Sequence, residues 1–183
     1  MCIRDSESFA AEAFKVKADL ITIAKGMTSG MVPMVGVLVK EDIYETFMTG
    51  PEDSIELYHG YTYSGHPLAA AAGLATLTVY EEEGLFARAK SLAPILEEEL
   101  QTIKGCPYVI DIRNYGLRGA VELQPIEGKP TARAMSVFRQ CFDNGLLVRT
   151  TGDTVALSPP LIASEDEIRT VVAKLKESLN SID

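Results

Sequence analysis

Asp19-Leu20-Ile21-Thr22-Ile23-Ala24-Lys25-Gly26-Met27-Thr28 is the stretch on which the rest of the chain turns. Leu20, Ile21, Ile23 and Ala24 form a nearly continuous apolar run of strand length, the pattern of a strand buried on both faces of a parallel sheet. Lys25, followed by Gly26, then falls at the carboxyl end of that strand, where open α/β sheets place their ligands. Loss of hydration at such a place favours the neutral, nucleophilic amine that Schiff-base chemistry requires. The plainer alternative is a lysine that marks the strand's exit into solvent.

Working outward, Pro33 introduces a second strand, Met34-Val35-Gly36-Val37-Leu38-Val39, followed by a short helix over 42–48. Upstream, residues 8–16 read as a short helix or turn packing Phe9 and Phe14, and Met1 to Ser6 match nothing that follows and are set aside as a possible foreign leader. With so little sheet and no Gly-rich phosphate loop ahead of the lysine, the sequence reads as part of a larger protein. After a polar loop over 50–58 comes His59-Gly60-Tyr61-Thr62-Tyr63-Ser64-Gly65-His66-Pro67. Its small hydroxyl and glycine residues suit an anion held at the start of a helix, with Pro67 in the first turn and the Ala-rich segment 68–83 as its body. A Tyr-rich turn that plugs a domain interface is the competing reading. His59 and His66 lack carboxylate or cysteine neighbours at ligand spacing, so structural histidines are expected rather than a metal site.

Gly84 ends that helix, and a second one covers 85–103 with Pro94 kinking it near Ala93. Residues 108–112 and 117–123 read as an antiparallel pair turning at Asn114-Tyr115-Gly116. A helix over 131–144 stops at Gly145, and its stripe Ala134, Val137, Phe138, Cys141 makes Cys141 a core residue rather than a nucleophile. Leu146-Leu147-Val148-Arg149 reads as a strand that Arg149 ends, turning at Thr151-Gly152-Asp153 into 155–157. Ser164 with Glu167 forms a capping box ahead of the last helix, whose inner face is Ile168, Val171, Val172, Leu175 and Leu179. A guanidinium at Arg149 suits a bidentate clamp on a carboxylate, and a surface salt bridge is the alternative.

The 183 residues are 46% hydrophobic and 23% charged, an ordinary globular make-up, and the net charge of -9 without basic clusters argues against nucleic-acid binding. No apolar run reaches bilayer length and no signal peptide is legible, so a cytosolic protein is expected, without membrane contact. Three widely spaced cysteines suit reduced thiols rather than a disulfide framework.

Ile23-Ala24-Lys25-Gly26-Met27-Thr28-Ser29-Gly30, Pro33-Met34, the 59–67 stretch and Ala71-Ala72-Gly73-Leu74-Ala75-Thr76 together resemble the class III pyridoxal-phosphate aminotransferases. Val109-Ile110-Asp111-Ile112-Arg113-Asn114, Gly145-Leu146-Leu147-Val148-Arg149 and Thr151-Gly152-Asp153-Thr154-Val155-Ala156-Leu157-Ser158-Pro159-Pro160 are similar to the ω-amino acid:pyruvate (β-alanine:pyruvate) branch. The likeness runs from about Phe9 to the end of the chain.

The resemblance implies an α/β fold of type I, with residues 1–84 as the carboxyl-terminal portion of the large cofactor-binding domain and 85–183 as the small domain. Lys25 would hold pyridoxal phosphate and later move the substrate proton. Tyr61, through its backbone, and Thr62 would reach the phosphate of a neighbouring subunit in a homodimer or higher oligomer. Arg149 would bind the substrate carboxylate, and the partners would be a small amino donor and pyruvate. Met27 and Val35 depart from the family's usual leucine and glycine. The family's Gly-Ser phosphate loop, ring-stacking aromatic and pyridinium-pairing aspartate have no counterpart in the chain, so these residues alone are expected not to catalyse transamination. Rival readings are a 2-oxoglutarate-dependent ω-aminotransferase, an aminomutase, or a non-catalytic interaction domain in which Lys25 only faces solvent.

Overall fold

The computed structural model describes residues 9–54 and 57–182, which fall into two compact units, 9–84 and 85–182. The leader Met1 to Ser6 and positions 55 and 56 of the polar loop lie outside the described residues.

Unit 1 holds α1 (Ala10–Ala13), β1 (Leu20–Ala24), β2 (Val35–Val39), α2 (Glu41–Phe47) and α3 (Pro67–Glu82). The single turn of α1 is where the sequence places it, and Phe14 after it is more than half exposed. β1 and β2 pair antiparallel, from Leu20 opposite Val39 to Ala24 opposite Val35. This corrects the expectation of a parallel sheet buried on both faces. The register sets Leu20, Thr22, Ala24, Val35, Val37 and Val39 on one face of the ribbon, because facing residues of a pair share a face. That face is open: Leu20 is 57% exposed and Val35 73%. The opposite face is tighter, since a Cβ on Gly36 would lie 3.3 Å from Ile23 Cγ1. Helix α3 starts at Pro67, whose missing N–H costs nothing in a first turn. It is apolar nearly all round, with Leu68, Leu74 and Leu77 exposed and only Ala69 and Gly73 buried. Its Gly73 faces Met34, yet an added Cβ would sit 3.5 Å from Met34 Sδ, which is ordinary contact.

Unit 2 holds α4 (Leu85–Gln101), β3 (Val109–Asn114), β4 (Gly119–Leu123), α5 (Ala132–Asp143), β5 (Arg149–Thr151), β6 (Thr154–Leu157) and α6 (Glu165–Asn180). Its sheet is antiparallel throughout, in the order β3-β4-β6-β5. Val121 and Leu123 of β4 and Val155 and Leu157 of β6 meet Leu96 and Leu100 of α4, Val137 and Cys141 of α5, and Ile168, Val172, Leu175 and Leu179 of α6 in one core. Helix α4 runs unbroken through Pro94, keeping Leu92, Leu96 and Leu100 on its buried side. Gly119 is required by packing: a Cβ there would fall 2.5 Å from Leu100 Cδ1. Cys141 is buried, as expected, and burial pushes its thiol up while a hydrogen bond with Ser178 partly offsets this.

Two turns differ from the sequence reading. Tyr115 and Arg118 exchange N–H···O bonds of 3.0 and 3.2 Å, so Gly116-Leu117 is the two-residue turn and Asn114 belongs to the strand. Gly116, at φ +56°, supplies the left-handed corner. After α5, Gly145 (φ +73°) donates to Phe142 and Leu146 donates to Cys141, the paired bonds of a Schellman stop. Leu146 is thereby committed to ending the helix, and pairing starts only at Arg149. Arg149 therefore opens β5 rather than ending a strand, which corrects that expectation.

Candidate functional site

Lys25 follows the last residue of β1 and has φ +57°, a left-handed conformation that costs an L-residue with a Cβ about 1–2 kcal/mol. Strain of this kind persists where surrounding structure enforces it. Here the enforcement is visible. The Lys25 carbonyl accepts from the N–H groups of Thr28 (3.4 Å) and Gly30 (3.3 Å). Thr28, buried at 2% exposure, donates from Oγ1 to the Val32 carbonyl (2.5 Å) and so ties off the whole turn. Tyr80, near the end of α3, donates its hydroxyl to the Gly26 carbonyl (2.8 Å). The residue next to the lysine is thus held by a helix residue 54 positions further along the sequence.

The Lys25 side chain itself is exposed, so unit 1 does not dry the amine as the sequence reading anticipated. The two strands leave their outer face open to water. No ion pair or hydrogen bond engages the ammonium among the described residues, which leaves the amine free for a carbonyl compound.

The 59–67 stretch forms a self-held loop. Tyr61 N–H donates to Ser64 Oγ (3.0 Å), Ser64 N–H to the Tyr61 carbonyl (2.9 Å) and His66 N–H to the Tyr63 carbonyl (3.2 Å). His59 meets Tyr61 edge-on with centroids 5.3 Å apart, and His66 meets Tyr63 at 5.7 Å, so both imidazoles have structural work. Among the described residues no group of three His, Cys, Asp or Glu side chains could hold a metal ion. His66 precedes α3 without a side-chain cap, leaving first-turn N–H groups for an anion. Tyr61 (75% exposed) and Thr62 present themselves to solvent. No hydrogen bond joins them to Lys25 among the described residues.

Arg149 lies in unit 2, exposed, at the rim of a cavity of about 630 Å³ whose walls include Leu147, Val148, Leu157, Pro159 and Val171, with Lys174 at another edge. Lys174 is already engaged, donating to the Asn144 carbonyl (2.8 Å) at the end of α5. Sequence reasoning missed Thr28 and Tyr80. The signals were a lone aromatic on a helix rich in alanine and leucine and a threonine within the turn.

The profile of the family described as Aminotransferase class-III matches residues 4–179, beginning inside the segment set aside as a leader. The chain is similar to an omega-aminotransferase of Caulobacter vibrioides, 50% identical over 96% of this chain and 40% of that protein. It is also similar to a beta-alanine--pyruvate aminotransferase of Pseudomonas aeruginosa, 41% identical over 94% of this chain and 39% of that one. A solved structure described as a transaminase with L-ala superposes with a TM-score of 0.89 at 30% identity, covering 97% of this chain and 43% of the other. The chain spans about 40% of the length of the curated relatives it matches.

Proposed function

Because the chain belongs to the class-III aminotransferases, whose members depend on pyridoxal phosphate, we propose that it supplies the lysine-bearing part of an enzyme that moves an amino group from a β- or ω-amino acid or amine to pyruvate. The observation that carries this reading is Lys25: a lysine in a strained, tied-down turn at a strand's end, its amine unengaged by protein. An aldehyde cofactor needs a free primary amine, and a phosphate needs N–H donors such as those opening α3, so the residues present fit that group. When bound, pyridoxal phosphate supplies the electron sink for the carbanion.

Everything else falls to the chain. Lys25 Nζ would carry a proton between the donor carbon that bears nitrogen and the cofactor's C4′, in one direction with the donor and in reverse with the acceptor. Arg149 offers two parallel N–H groups to the carboxylate of pyruvate or of a carboxylated donor. Thr62 and the backbone at Tyr61 serve the phosphate of a neighbouring subunit in a homodimer, which accounts for a loop that satisfies itself yet faces outward. Residues 1–84 belong to the large domain and 85–183 to the small one. The free thiols of Cys106 and Cys141 support a reducing compartment such as the cytosol. Among the described residues no helix is long and apolar enough to cross a membrane.

Borohydride reduction of the complete enzyme with pyridoxal phosphate, followed by peptide mapping, tests the centre of this reading. The label is expected on Lys25, and a label on any other lysine overturns it. An acceptor screen tests the remainder, with turnover on 2-oxoglutarate exceeding that on pyruvate counting against the acceptor assigned.

A further inference from the structure

Thr151-Gly152-Asp153-Thr154 is a motif of the chain's tail to which the reading above gives no task. Asp153 binds in two directions from the β5–β6 turn. Its carbonyl accepts the N–H of Leu123 at the end of β4 (2.9 Å), and its Oδ2 accepts the N–H of Thr131 (2.9 Å). Thr131 precedes α5 at φ +70° and does not cap the helix with its own side chain, so the carboxylate stands in at the positive end of the α5 dipole. Asp153 Oδ1 and Arg133 Nη1 are both buried without a hydrogen-bond partner in the protein. Arg133 Nε donates to the Gln124 carbonyl (2.6 Å) and its guanidinium lies 3.4 Å from the Tyr108 ring centroid. The backbone of Asp153 and the guanidinium of Arg133 are thus both held at the same end of β4, while the Asp153 carboxylate reaches the start of α5.

β5 has three residues, stands at the edge of the sheet and pairs only with β6, Arg149 opposite Ala156. Beyond that pairing, Thr150 reaches Met135 Sδ of α5 with its hydroxyl (3.7 Å). A short edge strand held on one side is the part of a sheet most ready to tilt or fray, and a side chain at its start inherits the tilt. We propose that Asp153 is a positioning residue for Arg149: with the β5–β6 turn held to β4 through its backbone, its carboxylate ties that turn to the start of α5 and so fixes the direction in which the guanidinium meets a substrate carboxylate. The inference rests on the role given to Arg149 above and adds the group that acts through it.

The test uses the complete enzyme and two acceptors, pyruvate and an aldehyde without a carboxylate. Asp153→Ala is expected to raise the KM for pyruvate about tenfold, a modest misplacement of a binding group, and to leave kcat/KM for the aldehyde within about twofold. Asp153→Asn, whose amide oxygen still accepts from Thr131, recovers most of the loss. Hydrogen exchange at the Thr131 amide quickens in Asp153→Ala and stays unchanged in Arg149→Ala. Should Asp153→Ala not fold, Asp153→Ser, with a shorter reach, is held to the same split. Equal losses on both acceptors, or an unchanged KM for pyruvate, overturn the proposal. Arg149→Ala separates the two failures. If it too spares pyruvate, the role of Arg149 falls and the inference with it; if it raises the KM where Asp153→Ala does not, the inference alone falls.

Discussion

Unit 2 removes Leu100, Leu117, Val121, Leu175 and Leu179 from water completely, whereas the equally apolar strands of unit 1 leave Leu20, Val35 and Val37 more than half exposed. An apolar run becomes core only when another layer covers it. In unit 2 three helices meet one sheet and close the core. In unit 1, Ala69, Gly73 and Thr28 are the buried residues among those described, and the ribbon and α3 show faces of the kind that a larger protein buries. The unit that carries the lysine is therefore the one whose stability depends on cover, and the unit that carries the arginine stands on its own packing.

That contrast breaks first on chemistry. Lys25→Ala in the complete enzyme is expected to lower turnover by at least about 10²–10⁴-fold, the value of a positioned proton-transfer group, while the thermal transition of unit 2 stays in place. Steady-state kinetics beside calorimetry of the same preparation checks both halves. Next comes packing. Leu175→Ala is expected to cost about 2–5 kcal/mol in denaturant unfolding, because α6 has no way to close over the cavity. Val37→Thr in the isolated chain is expected to stay within about 0.5 kcal/mol, as surface changes do. A large effect of Val37→Thr in that chain would mean that its face is already covered and would abolish the distinction.

Gly119→Ala drives a methyl into Leu100 and is expected to destabilise unit 2 by about 1–3 kcal/mol, relieved when Leu100 is shortened to Ala in the same protein. Ser164→Ala, which strips the Oγ that accepts from Glu167 N–H at 3.2 Å, is expected to cost about 1 kcal/mol. The smallest effect is in acid. The Ser164 N–H, and after it the Ser164 hydroxyl, hold the Glu167 carboxyl below its ordinary range. A carboxyl lowered on folding contributes stability above its unfolded titration and loses it as the pH falls through the folded one. Glu167→Gln is accordingly expected to flatten the decline in stability below the usual carboxylate range and to leave the neutral-pH slope alone.

What was legible in the sequence follows the reach of each interaction. The capping box of Ser164 and Glu167, the Gly145 stop and the Ala134, Val137, Cys141 stripe are local patterns, and each is present. Lys25 at a strand's exit was equally legible, because an apolar run followed by Lys-Gly is a local signal. The direction of the β1 partner was not, since a continuous apolar run reads the same beside a parallel or an antiparallel neighbour. The start of β5 was misread because Leu146-Leu147-Val148 has strand composition but is drawn into the helix stop. Thr28, Tyr80 and Asp153 work through hydrogen bonds to residues chosen by the fold, and such bonds leave no periodic trace.

The φ of +57° at Lys25 carries one more consequence. Glycine would occupy that corner without steric penalty, so a Lys25→Gly chain should melt slightly higher than the native one. Directed evolution that screened only for heat resistance would then drift toward glycine or asparagine there and, on the role proposed for Lys25, lose activity while gaining stability. Libraries built on this chain for thermal tolerance should hold position 25 fixed.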